Sequence, residues 1–275
     1  MFRRHILPGF HLTFGFTIVY LSLIVLLPLA ALAWKSSEGG VEVWQRILAD
    51  ARILASLKLS FGAACVAALI NGLFGLITAW ALERYEFPGR RLLDAIVDLP
   101  FALPTAVAGI ALVTLYAPNG WIGVWLEKVG IKGAFTPFGV TLALIFVGFP
   151  FVVRTIQPVI SDLSLEQEEA AACLGANRWQ TFVRVIFPGL MPSTLAGMTL
   201  AFGRAVGEFG SVVFIAGNLP FKTEIAPLLI TMRLEEYDYT GGAAIGTIML
   251  VASFGILVVS NAFAAWNARR TTTTR

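Results

Sequence analysis

Long apolar runs alternate with shorter polar links along most of this chain. Six runs approach the length that a helix needs to cross the hydrocarbon core of a bilayer, about 20 residues. They lie at Thr13–Trp34, Leu59–Leu82, Ala95–Ala117, Gly139–Val153, Thr194–Ala216 and Ala243–Ala265. Because the runs are continuously apolar rather than alternating, they indicate helices and not the strands of a barrel. The pattern predicts an all-α membrane protein of about six transmembrane helices, with five or seven as alternatives, in one domain spanning residues 1–275.

The third apolar run contains two prolines four residues apart, Pro100 and Pro104. Each proline removes a backbone hydrogen bond, so the helix must kink or break there. Irregular backbone persists in a membrane only where protein buries it or where it lines a cavity. Asp98 lies beside the prolines and is therefore a candidate residue of a translocation path. A simple packing kink is the alternative interpretation.

Arg204 and Glu208 lie within the fifth apolar run. Their spacing of four places them on one face of the predicted helix. Charged residues in membrane segments usually face the interior of the bundle or a watery path. Both are therefore candidates for a path or a gate, and an ion pair that only fixes packing is an equally open alternative.

The longest polar stretch inside the chain covers residues 161–188 and is named here the EAA segment. Ser161 or Ser164 is expected to cap a helix whose acidic first turn suits the positive end of the helix dipole. Gly175 then allows a turn, and a second helix leads to Pro188 and the fifth run. The segment is predicted to form a helix–turn–helix across one membrane face.

Within the EAA segment, Glu169, Ala170 and Ala171 precede Gly175 on a helix with little apolar face. Small alanine side chains allow a partner protein to approach closely. A solvated linker between two membrane helices is the plainer interpretation. It does not explain the combination of glutamate, alanines, glycine and terminal proline, so a docking site is favoured.

Composition agrees with a membrane protein, because only 13% of residues are charged, against about 25% in a soluble domain. The net charge of +3 is interpreted as topology rather than as a sign of nucleic-acid binding, because cytoplasmic loops of membrane proteins are rich in Lys and Arg. Arginine clusters occur near both termini and in the link 83–91. They predict cytoplasmic N- and C-termini. The first run exceeds the usual 7–15 residues of a cleaved signal sequence, which predicts that it stays as a membrane helix.

No enzymatic motif is present. The chain has no G-x-x-x-x-G-K-[ST] nucleotide-binding run and no hydrolase or zinc-protease signature. Its two cysteines, Cys65 and Cys173, give no disulfide framework or metal-ligand spacing. We therefore expect no catalytic residue, no metal and no cofactor in this chain.

Several stretches resemble a known family. Glu169–Gly175, followed by Val185–Pro188, resembles the EAA loop of ABC importer permeases, although Val185 and Phe187 stand where isoleucine and leucine are commoner. Asp98–Leu112 and Ala201–Ser211 resemble sulfate and molybdate permeases. Phe214–Glu224 is similar to the T (or U) subunits of bacterial sulfate/thiosulfate importers. The resemblance covers nearly the whole chain.

The resemblance implies a type I ABC importer permease in the bacterial inner membrane, with a cytoplasmic EAA coupling helix. Implied partners are a dimer of a separate ATPase, which would hold ATP and Mg²⁺, a second permease (the W subunit) and a periplasmic sulfate-binding protein. Glu169, Ala170, Ala171 and Gly175 would couple to the ATPase. No sulfate ligand follows from the resemblance.

Three other functions stay open at this stage. The transported oxyanion could be molybdate or tungstate. A secondary transporter driven by an ion gradient would use the intramembrane charges without an ATPase, and a membrane scaffold would transport nothing. The EAA segment argues against the secondary transporter, and the broken third helix argues against the scaffold.

Overall fold

The computed structural model describes residues 9–272, and for residues 261 and 263–272 only the backbone. Every regular element in this range is a helix. In chain order the helices are α1 (Phe10–Ser37), α2 (Gly40–Ala49), α3 (Ala51–Arg84), α4 (Arg90–Val97), α5 (Leu99–Ala102), α6 (Thr105–Tyr116), α7 (Gly123–Lys128), α8 (Pro137–Ser161), α9 (Leu165–Cys173), α10 (Arg178–Val206), α11 (Gly210–Ala216), α12 (Ala226–Glu235) and α13 (Tyr239–Thr272). The all-α prediction is confirmed. Of the arginines in the terminal clusters, Arg3, Arg4 and Arg275 lie outside the described residues.

Five helices are long and apolar enough to cross a membrane, namely α1, α3, α8, α10 and α13. The third predicted run, Ala95–Ala117, is not a continuous helix. It is divided among α4, α5 and α6, with breaks at Asp98 and Leu103. Leu103 adopts an extended conformation, φ −85° and ψ 133°, because the ring of Pro104 disfavours helical geometry in the residue before it. The predicted break is confirmed, and the third pass is made of short helices.

The fifth predicted run, Thr194–Ala216, is wrong as one helix. α10 ends at Val206, and α11 begins at Gly210. The carboxylate of Glu208 accepts a 2.9 Å hydrogen bond from the backbone N–H of Ser211. This bond satisfies an N–H group that a new helix leaves free at its start, so Glu208 acts as the starting point of α11.

The boundaries of the second and fourth runs also differ from the prediction. α3 begins at Ala51, well before the predicted start, because the carboxylate of Asp50 accepts hydrogen bonds from the N–H groups of Arg52 and Ile53. A separate helix, α2, precedes it and ends at Ala49. α8 continues to Ser161 through two internal prolines.

The centre of the bundle is formed by α3, α8 and α10, which pack against one another along much of their length. Glycine makes the contact close. A Cβ atom on Gly75 of α3 would lie 2.7 Å from the side chain of Val152, and one on Gly197 of α10 would lie 3.0 Å from the Val152 Cα. Small residues allow helix backbones to approach closely where lipid supplies no hydrophobic drive.

The two broken passes meet each other, since α6 packs against α11. A Cβ atom on Gly109 of α6 would lie 2.5 Å from the backbone oxygen of Ser211. The residues before α6 and before α11 are therefore neighbours in space. α1, in contrast, lies at the edge of the bundle and contacts α13, with its apolar side chains largely exposed.

Candidate functional site: the EAA segment and the ion pairs of the bundle

The EAA segment forms the predicted helix–turn–helix. Gly175 adopts the left-handed conformation at φ 81°, and its N–H group bonds to the oxygen of Ala172 at 2.9 Å. Ser164 occupies the N-cap position of α9, as expected, but its side chain forms no capping hydrogen bond. The second helix, α10, begins with a capping box. The N–H group of Gln180 donates to the side-chain oxygen of Asn177 at 2.8 Å, and the N–H group of Asn177 donates to the side-chain oxygen of Gln180 at 2.9 Å. The spacing of Asn177 and Gln180 could have revealed this box in the sequence.

The candidate contact residues of the EAA segment differ in exposure. Glu169, Ala170 and Gly175 are exposed, whereas Ala171 is buried against the rest of the chain. Large apolar side chains stand exposed on the same segment, namely Leu165, Leu174 and Trp179. An exposed carboxylate beside exposed apolar side chains is typical of a docking surface with a polar rim.

An ion pair that was not predicted from the sequence joins α9 to the membrane bundle. Arg84, the last residue of α3, forms a 2.6 Å ion pair with Glu168, and both side chains are largely buried. The Arg84 guanidinium also lies over the ring of Trp80, 5.1 Å from its centroid. The Trp80 ring in turn meets Phe182 of α10 edge-on at 5.6 Å. The EAA segment is thus connected directly to the ends of α3 and α10.

Asp98 belongs to a second cluster that the sequence did not reveal. Arg154 of α8 binds Asp98 through two nitrogens, at 2.8 and 2.5 Å, and binds Asp94 at 2.7 Å. Gln157 connects the cluster to Glu83 at 3.1 Å. Arg154 therefore ties the broken third pass to the central helix α8.

The ionisation of Asp94 follows from these contacts. Partial burial opposes its charged form, but hydrogen bonds from Arg154 and Gln157 and the charges of Arg154 and Arg90 outweigh that effect. The pKa of the Asp94 carboxyl consequently lies below its usual value.

Arg204 and Glu208 form the ion pair that their spacing suggested, although Glu208 lies beyond the end of α10. Glu208 is nearly completely buried, and its carboxylate also accepts a 2.9 Å hydrogen bond from the hydroxyl of Ser211. Arg204 remains about one-third exposed. The pair is located where the fifth pass breaks, beside the start of α6.

A further pair holds the opposite end of the bundle. Arg52, at the start of α3, binds the buried Glu224 through two nitrogens, at 2.8 and 2.6 Å. The N–H group of Ala226 at the start of α12 bonds to the hydroxyl of Ser60 at 2.9 Å. These contacts hold the start of α12 against α3. Over residues 9–272, no group of three metal-binding side chains is close enough to hold an ion.

Solved structures share this fold. A bacterial ABC transporter that imports the acidic polysaccharide alginate has a chain that superposes with a TM-score of 0.77, at 16% identity, over 93% of this chain and 94% of that one. A methionine ABC transporter in an inward-facing conformation superposes with a TM-score of 0.54 over 79% of this chain and 99% of that one. The fold is therefore the type I permease fold of ABC importers, as expected.

Sequence comparisons give a closer match. The chain is 46% identical over 267 residues to "Sulfate transport system permease protein CysT" of Escherichia coli, covering 97% of this chain and 96% of that protein. It is 52% identical over 253 residues to "Probable sulfate transport system permease protein cysT" of Nephroselmis olivacea, covering 92% and 89%. The family model described as "Binding-protein-dependent transport system inner membrane component" matches residues 71–273. The chain therefore belongs to the inner membrane components of binding-protein-dependent transport systems.

Proposed function

We propose that this chain is a permease subunit of an ATP-driven importer of sulfate or thiosulfate and forms half of the translocation path. The names and high identity of its relatives support the substrate. The structural observation that carries the proposal is α9, which is exposed on its outer face and fastened to α3 by the Arg84–Glu168 pair. Family membership argues against the ion-gradient transporter and the scaffold.

The proposed importer contains other subunits. A dimer of a separate ATPase holds ATP and Mg²⁺ and seats α9 through Glu169, Ala170 and Gly175, while Ala171 supports the helix from behind. A second, related permease (the W subunit) completes the path, and a periplasmic sulfate-binding protein delivers the anion. In support, one similar structure is an alginate transporter in complex with a periplasmic protein.

The proposed topology places both termini of the chain in the cytoplasm of a bacterium. α3 ends at the EAA segment, where Arg84 meets Glu168. The start of α13 lies beside Gly39, at the other end of the bundle, because a Cβ on Gly39 would approach the Thr240 side chain to 2.6 Å. α1 therefore starts, and α13 ends, on the side of the EAA segment, which must face the ATPase.

Coupling would follow the contacts of the EAA segment. Closure of the ATPase dimer on ATP displaces α9, and the Arg84–Glu168 pair together with the Trp80–Phe182 contact transmits the displacement to α3 and α10. The breaks beside Arg154 and Glu208 let the third and fifth passes reorient separately from the central helices. Hydrolysis then resets the permease.

The proposal is tested with Glu169→Ala, which removes an exposed carboxylate without burying a charge. We expect the permease to stay at its normal level in the membrane while ATPase co-purification and sulfate uptake fall. Glu166→Ala is the matched control, because Glu166 is an exposed glutamate one turn earlier on α9. ATPase stimulation by a sulfate-loaded binding protein, with molybdate and tungstate as competing anions, tests the substrate. Normal docking and uptake in Glu169→Ala would show that the segment is only a linker.

A further inference from the structure

An apolar groove of about 560 Å³ runs between α3, α8 and the broken third pass. Its volume is within the range of ligand pockets, about 300–1,000 Å³. Ile77, Leu93 and Ile96 line it and are about half exposed. The groove therefore opens sideways, where lipid would surround the bundle, rather than into a closed core.

The groove extends along α3 for about 20 Å, at about 1.5 Å per helical residue. α3 and α8 run in the same direction, and the side chain of Asn71 bonds to the backbone oxygen of Ile145 at 3.1 Å, which fixes their alignment. From the level of Leu142 to Leu82, both of which line the groove, α3 advances by about 14 residues, or ~20 Å at about 1.5 Å per residue. This exceeds one leaflet of a hydrocarbon core about 30 Å thick. A single acyl chain fits such a length.

Basic side chains stand at the end of the groove near the EAA segment. Leu82 and Phe87 border the groove and also two smaller cavities, of about 270 and 330 Å³, that Arg90 and Arg91 line. Arg91 is exposed and forms no ion pair with any residue that the structure describes. Arg90 is 3.8 Å from the carboxylate of Glu83.

Three carboxylates also line these cavities, those of Glu83, Glu86 and Asp94. The carboxylate of Asp94 is engaged by Arg154, and Glu83 accepts a hydrogen bond from Gln157. Asp94 and Glu83 are therefore engaged with Arg154 and Gln157, whereas Glu86 is exposed and forms no ion pair within the part of the chain that the structure describes. The guanidinium of Arg91 remains available for an external anion.

We propose that this groove binds one anionic phospholipid from the leaflet on the side of the EAA segment. An acyl chain lies along α3 and α8, and the phosphate contacts Arg91 and Arg90. The planar guanidinium group of arginine can donate two parallel hydrogen bonds to phosphate oxygens, and its charge is opposite to theirs. Basic pockets between transmembrane helices on the cytoplasmic side are typical sites for anionic headgroups. The transported anion is a poor occupant, because the groove walls are apolar.

The test uses the importer complex, purified with its accompanying subunits, in nanodiscs that contain phosphatidylglycerol with a photoreactive group on the acyl chain. Matched nanodiscs contain photoreactive phosphatidylcholine. Labelled peptides from α3, α4 and α8 are quantified by mass spectrometry. We expect phosphatidylglycerol to label these peptides more than phosphatidylcholine does, and Arg91→Gln to reduce that labelling about fivefold, the effect of one arginine near an anionic surface.

Three variants sharpen the result. Arg91→Lys should keep the preference for phosphatidylglycerol, and Ala81→Phe should lower labelling by both lipids because Ala81 lines the groove. Arg46→Gln removes an exposed arginine at the opposite end of the bundle and should change nothing. Equal labelling by both lipids would overturn the proposal. So would labelling that appears only when the isolated chain replaces the complex, because the second permease would then cover the groove. Labelling requires no transport, so it stands or falls separately from the sulfate assignment.

Discussion

Glu208 shows how one buried side chain serves two purposes. Its carboxylate accepts hydrogen bonds from the N–H group and the hydroxyl of Ser211 at the start of α11, and it forms an ion pair with Arg204. A carboxylate buried this deeply is tolerated only while it is neutralised and hydrogen-bonded.

Removing Arg204 alone should therefore cost more than removing the pair. We expect Arg204→Met to destabilise the permease by an amount at the low end of about 3–5 kcal/mol, because Arg204 is itself one-third exposed. The double variant Arg204→Met/Glu208→Gln should recover part of that loss. Thermal unfolding of the four proteins of the cycle measures the coupling. Purely additive losses would mean that the two groups do not interact.

Asp94 gives a prediction about pH. Its pKa is lowered in the folded protein, so its contribution to stability is fully present above its ordinary pKa, about 3.9, and is lost as pH falls through the lower, folded pKa. The difference in thermal midpoint between wild type and Asp94→Asn should stay constant from about pH 8 to 5 and shrink below about pH 4. A difference that already shrinks near pH 6 would contradict the lowered pKa.

At the scale of elements, the turn at Gly175 sets the direction of α9 relative to α10. A Cβ atom at this position would meet nothing within 4 Å, so a substitution there acts through backbone conformation and not through a clash. The left-handed conformation costs residues with a Cβ about 1–2 kcal/mol, whereas asparagine tolerates it.

Gly175→Val should therefore misdirect α9 and reduce ATPase co-purification, while Gly175→Asn should keep most of it. Protein levels in the membrane should remain normal in both, because Gly175 is outside the bundle core. Co-purification of the ATPase at equal permease loading is the measurement. If the two variants were equally impaired, the side chain at this position, and not the turn, would be what the partner senses.

The same elements show what the sequence determines. The length of the apolar runs predicted α1 and α13, and the prolines predicted the break before α6. Both features depend only on residues that are close together in the sequence. The end of α10 at Val206 was missed because it depends on the buried carboxylate of Glu208, which looks like an ordinary helical residue in the sequence. Arg84, Arg154 and Arg52 were missed for a related reason: their partners are 56 to 172 residues away along the chain. The sequence reveals such charges but not their pairing.

On the scale of the whole molecule, ion pairs divide the bundle into two ends around a core of small residues. At the end of the bundle nearest the EAA segment, Arg84 binds Glu168 and Arg154 binds Asp98. At the opposite end, Arg52 binds Glu224. The middle, where α3, α8 and α10 cross at glycine, has few charges. Motion at one end can therefore be transmitted along rigid central helices, while the passes broken at Leu103 and Gly207 change their direction.

This arrangement predicts the sidedness of the chain. Six passes and the proposed docking of the EAA segment on an ATPase predict that α13 ends in the cytoplasm and that the link after α7 lies in the periplasm. We expect an impermeant thiol reagent added to intact spheroplasts to label Gly130→Cys and not Thr271→Cys. Cys65 and Cys173 are both exposed, so they must first be replaced by alanine. Permeabilised cells should label both positions, which verifies that each engineered thiol is reactive. Labelling of Thr271→Cys in intact spheroplasts would invert the topology and place α9 beyond the reach of any cytoplasmic ATPase.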